Sequence, residues 1–290
     1  MNELKPLDGL TAILVSPTYG GVDPICARSL RVAVMSASSR GLKWAGDASP
    51  DRMTYGLARN VSAAVLRKEP AAADGILWVD SDIHCQPDSI IRLLTTARTY
   101  KLDFLTGIYH SRKPPNLPVI YHRAENGKYL QCMDYPKETT ISLDACGFGF
   151  VWTASSVINR IADSAAFTSR EGWFPDRRDV GGFGEDISFC DLARQAGVQL
   201  YVDTGVQVGH SGDVQIVWEA DFRARNLTID SPETGAGVLT AQAQWSFDSF
   251  AYAGSTDNPP DLSIPSILDV PDTDPVQIYL KDASIFMDSD

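Results

Sequence analysis

Short apolar runs that alternate with helix-like patterns dominate the first two hundred residues of this chain. The runs at 10–15 and 75–79 are short and end in polar turns, so we predict that they are buried strands. Residues 24–39, which lie between them, repeat apolar side chains with the spacing of one helix face. Strand, loop, helix and strand again is the pattern of a layered α/β protein built on a largely parallel sheet.

The same periodicity, together with proline and glycine at element ends, sets the other boundaries. The predicted strands are 10–15, 42–45, 75–79, 102–106, 198–203 and 206–208, with several more between 119 and 153. The predicted helices are 24–39, 51–68, 87–100, 155–165 and 185–196. These elements predict a mixed sheet flanked by helices. The periodicity fades after residue 212, beyond which only 276–280 has the composition of a strand.

Charge is distributed unevenly along the chain and argues against a grip on long nucleic acid. The net charge is −12, and the segment from Asp213 to Asp290 carries −11 of it, from 14 acidic and three basic residues. Proteins that hold nucleic acid by its phosphates usually show a basic face, and none is evident here. Direct nucleic-acid binding is therefore not favoured, and the acidic segment is more typical of a solubilising or docking surface.

Hydropathy and cysteine usage bear on where the protein works. No apolar run approaches the roughly 18 to 20 residues that a membrane-spanning helix needs, and residues 1–8 lack the pattern of a secretory signal. The five cysteines are scattered without a C-x-x-C pair, as expected of free thiols in a reducing compartment. We therefore predict a cytoplasmic protein without a membrane span.

Two aspartates follow the predicted strand 75–79 directly. Residues i and i+2 of an extended backbone project to the same side, so Asp80 and Asp82 would present two carboxylates to one point. Ligands of open α/β sheets bind beyond the carboxyl ends of the strands, which is where this pair lies. Carboxylate oxygens suit Mg²⁺ or Mn²⁺, which would neutralise and orient a diphosphate. The alternative is an ordinary acidic loop, because D-x-D alone is common.

A histidine near two glycines follows the last predicted strand. His210 is a candidate third metal ligand, because imidazole commonly binds metals and its small neighbours permit close approach. The alternative is a structural or solvated histidine, which is the more frequent role of a lone one.

Two acidic residues begin the predicted helix 185–196. Glu185 and Asp186 are in part explained by the preference of acidic side chains for a helix N-terminus. The functional alternative is a general base that takes a proton from an acceptor hydroxyl. The glycine-rich stretch 179–184 before them suits a lid over an acceptor pocket.

The loop 16–21 and two arginines are weaker candidates. Tyr19 could stack on a nucleotide base, although an ordinary turn explains the loop equally well. Arg59 lies within a predicted helix, either on a solvated face or in contact with a base or phosphate. Arg112 could close over a diphosphate or remain solvated.

Taken in order, these pieces resemble glycosyltransferases of the GT-A fold, and among them the family 2-like enzymes of phage and bacterial genomes. The resemblance covers roughly residues 10–212. It rests on the opening strand into SPTYGG, the LARN helix, LWVDSDI followed by PDSI, the CGFGFV strand, GEDISFC, and a strand leading into VGH. The chain departs from many relatives at the end of its second strand, which reads GDASPD rather than an acidic pair. A base contact by Asp47 is therefore doubtful.

The resemblance implies a GT-A domain over 1–212, an acidic extension over 213–290, and a set of roles. It places the donor at Pro17, Thr18, Tyr19, Arg59, Asp80, Ser81 and Asp82, the Mn²⁺ or Mg²⁺ at Asp80, Asp82 and His210, and the base or acceptor contact at Asp186 and Glu185. Within that set, Asp82 and His210 would ligate the cation directly, and Asp80 would face the ribose or a metal-bound water.

The activity implied is sugar transfer from a nucleoside diphosphate sugar, with UDP-sugars the default, to a hydroxyl of a protein, a glycan or a modified DNA base. A phage-encoded enzyme would act in the host cytoplasm. A sugar nucleotidyltransferase is the nearest rival enzyme, but it would normally carry cations in its first glycine-rich loop, and SPTYGG has none. The second rival is a non-catalytic nucleotide-sugar or carbohydrate-binding module on the same fold.

Overall fold

A seven-stranded mixed sheet forms the centre of the molecule. The computed structural model describes residues 5–18, 21–212 and 216–227. The strands are β1 Thr11–Val15, β2 Lys43–Ala48, β3 Gly75–Val79, β4 Ile83–His84, β5 Phe104–Ile108, β6 Ile120–Arg123, β7 Tyr129–Gln131, β8 Thr140–Leu143, β9 Ala145–Cys146, β10 Phe150–Ala154, β11 Leu200–Gln207, β12 Gly209–Ser211 and β13 Ile216–Val217. The α-helices are α1 Pro24–Ser39, α2 Tyr55–Lys68, α3 Ser89–Tyr100, α4 Ser155–Ala162, α5 Glu185–Gln195 and α6 Glu219–Leu227, and a 3₁₀ turn spans Arg178–Val180.

The strand order of the large sheet is β2-β1-β3-β10-β5-β11-β8. Five of these strands run in one direction, whereas β10 and β8 run antiparallel to their neighbours. The predicted class, an α/β mixed sheet flanked by helices, is confirmed. The carboxyl ends of β1, β3, β5 and β11 consequently lie along one edge of the sheet, where such folds bind ligands.

The all-apolar β3 is explained by burial of the sheet on both faces. Ile76 and Trp78 belong to the core beneath helices α2, α4 and α5, and Leu77 and Val79 belong to the core beneath α1 and α3. Successive side chains of a strand point to opposite faces, so a strand covered on both sides reads as a continuous apolar run. An aromatic cluster of Trp78, Phe104, Phe148, Phe174 and Phe189 fills the first core.

A small second sheet contains β4 and β12, which follow β3 and β11 directly in the chain. Its strands are in the order β13-β12-β4, all antiparallel. Because His210 pairs with Ile83 across β12 and β4, the backbone beside Asp82 is held next to that of His210. The amide of Ser211 also donates to the Asp82 carbonyl at 2.8 Å.

Several boundaries differ from the predictions for local reasons. Helix α2 begins at Tyr55 rather than at 51, because the Thr54 hydroxyl accepts a hydrogen bond from the Leu57 amide and caps the helix there. The two strands predicted at 198–203 and 206–208 are largely one strand, β11. The strand predicted at 276–280 lies outside the described residues, and the division into domains at residue 212 stays a prediction.

The described residues include no helix that is both long enough and apolar enough to traverse a bilayer. All five cysteines are buried free thiols.

Candidate active site at the carboxyl edge of the sheet

A buried arginine joins three of the predicted site residues. Arg59, on α2, is 1% exposed. Its guanidinium donates to Asp80 Oδ1 at 2.8 Å and to Asp186 Oδ1 at 2.5 Å, and it lies 3.9 Å from Glu185 Oε1. The alternative prediction, that Arg59 lies on a solvated helix face, is therefore wrong. The rings of Tyr55 and Phe148 flank the guanidinium, each 5.4 Å from its central carbon.

The three carboxyls around Arg59 are hard to ionise. Burial raises the pKa of Asp80, Glu185 and Asp186 above their usual values, and the positive charge of Arg59 opposes this shift only in part. Burial would lower the pKa of Arg59, but the surrounding carboxylates outweigh it and the net shift is upward. Asp186 nevertheless keeps 29% of its side chain exposed, so a substrate can reach it.

Backbone geometry holds Asp186 in place. The amide of Phe148 donates to Asp186 Oδ2 at 3.2 Å, and the amide of Asp80 donates to the Gly149 carbonyl at 3.0 Å. Residues 147–149 thus connect the loop after β3 to the start of α5. A side chain at Gly147 or Gly149 would collide with Tyr109, which explains why both positions are glycine.

The second aspartate of the pair belongs to a different set of contacts. Asp82 Oδ2 lies 3.3 Å from His210 Nε2 and 3.2 Å from an Arg112 nitrogen. Burial would raise the pKa of Asp82, but the hydrogen bond and charge of His210, together with the charge of Arg112, hold it below its usual value. Asp82 and His210, predicted as metal ligands, are therefore direct neighbours.

The geometry of His210 is suited to a cation. Its Nδ1 donates to the carbonyl of His110 at 2.8 Å. A neutral imidazole carries one N–H, so the lone pair of Nε2 is then directed at Asp82 Oδ2, and this contact is favourable only with a proton or a cation between the two atoms. A second hydrogen bond of this kind usually fixes the tautomer of a metal-ligating histidine.

Two of the predicted metal ligands, Asp82 and His210, face each other. Within 5–18, 21–212 and 216–227, no cluster of three or more His, Cys, Asp and Glu side chains could hold a metal ion. Asp80, the third predicted ligand, has its carboxylate hydrogen-bonded to Arg59. The residues present fit a cation such as Mg²⁺, which is usually bound by one or two carboxylates and completes its shell with water and substrate oxygens.

The predicted nucleoside-binding residues are only partly described. Pro17 is buried, and the buried Thr18 donates through Oγ1 to Asp51 Oδ1 at 3.0 Å, so its hydroxyl is already engaged. Tyr19 lies outside the described residues. Ser81 is buried between the two aspartates, and Asp47 is exposed at the end of β2. The donor contacts predicted for these residues stay predictions.

Sequence reasoning missed Tyr109, Tyr55 and the carbonyl of His110. The Tyr109 hydroxyl accepts from the Gly149 amide at 3.1 Å, and its ring stands edge-on to His210 at 5.4 Å. The sequence does contain a pattern that points to these residues, because Tyr109 and His110 follow β5 just as Asp80 follows β3. The rule that selected the loops after two strands applies equally to this third one.

A groove of about 990 Å³ runs along α3 and the edge formed by β8 and β11. It is lined by charged, hydroxyl and aromatic side chains, among them Arg92, Thr95, Tyr100, Thr139 and Asp203. None of the predicted site residues that the structure describes lines it.

The sequence matches no protein-family model and no curated protein. The structure is similar to that of A197 from STIV, with 14% sequence identity, coverage of 72% of this chain and 94% of that chain, and a TM-score of 0.45. It is also similar to GalNAc-T7 crystallised with UDP, GalNAc and Mn²⁺, with 10% identity, coverage of 69% of this chain and 44% of that chain, and a TM-score of 0.46. Similarity at this level does not bear on chemistry, which has to be judged from the site.

Proposed function

We propose that this protein is a metal-dependent glycosyltransferase that moves a sugar from a nucleoside diphosphate sugar to a hydroxyl acceptor. The observation that carries the proposal is the bridge made by Arg59 between Asp80 and Asp186. It sets a candidate base beside the loop that bears Asp82, whose direct neighbour His210, on β12, is the second candidate cation ligand. The two halves of a group transfer, leaving-group stabilisation and proton removal, thereby have neighbouring residues at one sheet edge.

In the proposed reaction, the acceptor oxygen forms a bond to the anomeric carbon of the donor. The bond from that carbon to the diphosphate oxygen breaks, and the nucleoside diphosphate leaves with the bonding electrons. Asp186 takes the acceptor proton, and Glu185 lies beside it to bind the acceptor. A raised pKa makes Asp186 a stronger base, as long as the working pH keeps it ionised.

The diphosphate would be held by the cation and by the residues around Asp82. Asp82 and His210 are the residues that would ligate Mn²⁺ or Mg²⁺, which when bound neutralises negative charge on the leaving group. Arg112, 57% exposed and 3.2 Å from Asp82, is placed to contact a phosphate entering from solvent. UDP-sugars are the favoured donors, because they are the commonest among the enzymes that the sequence resembles.

Two alternative functions are compatible with the fold but not with this combination of site residues. A sugar nucleotidyltransferase would need cations in the loop after β1, and residues 16–21 contain none. A binding module would have no use for the accessible carboxyl of Asp186 next to a buried arginine. It would bind a nucleotide sugar without releasing nucleoside diphosphate.

The test is donor turnover with and without Mn²⁺, scored as nucleoside diphosphate release from a panel of nucleotide sugars. We expect Mn²⁺-dependent release with at least one donor, and its loss in Asp82→Ala. Asp88→Ala is the matched control, because Asp88 is exposed in the same connection and its side chain makes no capping bond to α3.

Thermal shifts measured on the same panel separate the rivals. Binding raises the melting temperature according to affinity and concentration. Stabilisation by a donor without any release would favour the binding module. If no donor stabilises the protein or is turned over with Mn²⁺, the proposal is refuted.

A further inference from the structure

Helix α6 packs an aromatic ring onto the residue that orients His210. Phe222 is 3% exposed, and its ring is stacked on that of His110, with centroids 5.2 Å apart and planes inclined by 27°. The ring of Tyr135 is nearly parallel to Phe222 at 6.5 Å. His110 is itself buried, and its Nε2 is 3.0 Å from the Tyr135 hydroxyl.

Ion pairs and hydrogen bonds fix α6 over this stack. Glu219, 5% exposed, accepts from Arg223 Nε at 2.5 Å and from the side-chain amide of Gln207 at the end of β11. The Arg223 guanidinium lies 5.0 Å from the centre of the Tyr135 ring. The first turn of α6 is thus tied both to the large sheet and to the aromatic stack.

The segment before α6 supports His210 from the other side. In β13, Val217 pairs with His210. A side chain at Gly209 would collide with Ile216 and Trp218, so the glycine before His210 is required by the close packing of this segment. Residues 216–223 therefore act on His210 in two ways. They pair directly with its strand, and they pack on His110, whose carbonyl accepts the Nδ1 hydrogen bond of His210.

We propose that α6 is a positioning element of the cation site, in which Phe222 holds His110 so that its carbonyl fixes the Nδ1–H tautomer of His210 and directs Nε2 toward Asp82. The role of His210 as a ligand rests on the proposed function, whereas its orientation by α6 does not. Partners that orient a metal-ligating histidine typically contribute 10- to 100-fold to metal affinity. The part of the acidic segment that lies nearest the cation site thus has a specific role in positioning His210.

The experiment compares the full-length wild type with Phe222→Ala and with Phe222→Leu, which keeps most of the apolar volume. The matched control is Phe167→Ala, which removes a partly buried ring that contacts Trp173 instead. Circular dichroism establishes that each variant is folded. The tautomer of His210 is read by ¹⁵N-correlated NMR of the imidazoles, and Mn²⁺ affinity by the electron paramagnetic resonance of the free ion.

When the imidazole of His210 is neutral, we expect it to carry its single proton on Nδ1 in the wild type. In Phe222→Ala we expect mixed tautomers and roughly 10- to 100-fold weaker Mn²⁺ binding, with smaller changes in Phe222→Leu and none in Phe167→Ala. A folded Phe222→Ala with the wild-type tautomer and affinity would overturn the inference. If the wild type itself does not bind Mn²⁺, the proposed function fails, and the tautomer comparison still decides whether α6 positions His210.

Discussion

Asp80 and Asp82 are two residues apart, yet they belong to two chemically different regions. Asp80 accepts a hydrogen bond from the buried Arg59, which also donates to Asp186, and the pKa of Asp80 is raised because burial outweighs the charge of the arginine. Asp82 contacts His210 and the exposed Arg112, and its pKa is lowered because these groups outweigh its burial. In the proposed function, the first region would handle the proton and the second would hold the cation.

The difference shows that the spacing of two carboxylates does not determine their chemistry. An extended backbone predicts that they share a side, but each carboxylate responds to the groups that other elements bring against it. Here α2 supplies Arg59, the partner of Asp80, whereas β12 and the loop after β5 supply His210 and Arg112, the partners of Asp82. Both regions can be perturbed separately.

The largest expected effect follows from removing the centre of the first region. Arg59→Met leaves Asp80 and Asp186 without their counter-charge, and breaking a buried ion pair in this way costs about 3–5 kcal/mol in the free energy of unfolding. The measurement is urea denaturation at neutral pH. Arg67→Met is the control on the same helix, since Arg67 pairs with the exposed Asp163 and such pairs contribute about 0–1 kcal/mol. Equal losses in the two variants would mean that the Arg59 cluster is no stronger than a surface pair.

Removal of the candidate base should affect catalysis almost as strongly. We expect Asp186→Asn to lower the rate of sugar transfer by roughly 10²- to 10⁴-fold, the usual contribution of a general base. Glu185→Gln should cost less, because the ion pairs of Glu185 with Arg59 and Arg178 are long, at 3.9 and 3.6 Å. The measurement is single-turnover transfer with saturating donor and Mn²⁺. The reverse order of the two losses would assign the base to Glu185.

The opposite pKa shifts predict opposite dependences of stability on pH. The folded pKa of Asp186 is raised, so its contribution to stability is complete below the unfolded value near 4 and is lost as the pH rises through the folded value. The folded pKa of Asp82 is lowered, so its contribution is present above the unfolded value and is lost as the pH falls through the folded one.

Asp186→Asn should therefore flatten the pH dependence of the unfolding free energy above pH 4, and Asp82→Asn should flatten it at more acidic pH. Each unit of difference between the folded and unfolded pKa corresponds to about 1.4 kcal/mol. Urea titrations across this range give the curves. Similar changes in both variants would show that the two carboxyls share one environment.

The smallest effect is expected at the exposed edge of the second region. Arg112→Gln should raise the KM for the donor by a few-fold and leave kcat nearly unchanged, because an exposed arginine attracts a diphosphate through a screened field. The effect should shrink in high salt. Arg52→Gln is the control, since the side chain of Arg52 is 89% exposed and pairs with its neighbour Asp51 at 3.5 Å, away from Asp82. A large fall in kcat for Arg112→Gln would place Arg112 among the residues that stabilise the transition state.

Sequence patterns predicted some parts of the fold much better than others. Helix α1 occupies its predicted residues because Asp23 caps it and Pro24 begins it, both of which are local signals. Strand β3 was equally clear from its apolar run. The small sheet of β4, β12 and β13 was not predictable, because its two- and three-residue strands have no periodicity of their own and pair over long sequence separations.

The residues of the candidate site also differ in how well the sequence predicted them. Asp80, Asp82, Glu185 and Asp186 are recognisable because they stand at element ends, where ligands and helix termini make acidic residues informative. The burial of Arg59 could not be predicted, because a helical pattern does not show which other elements pack against the helix. Tyr109 and the His110 carbonyl were missed, because their contributions depend on a close approach and on a backbone oxygen.

The alternation of strands and helices and the acidic residues at the carboxyl edge of the sheet could be predicted from the sequence alone, since both follow from local periodicity and capping. Only the tertiary structure decided that Arg59 joins Asp80 to Asp186 and that His210 faces Asp82. These contacts span 127 and 128 positions of the chain. Their geometry depends on how the helices and the small sheet pack on the large sheet, which no local pattern encodes.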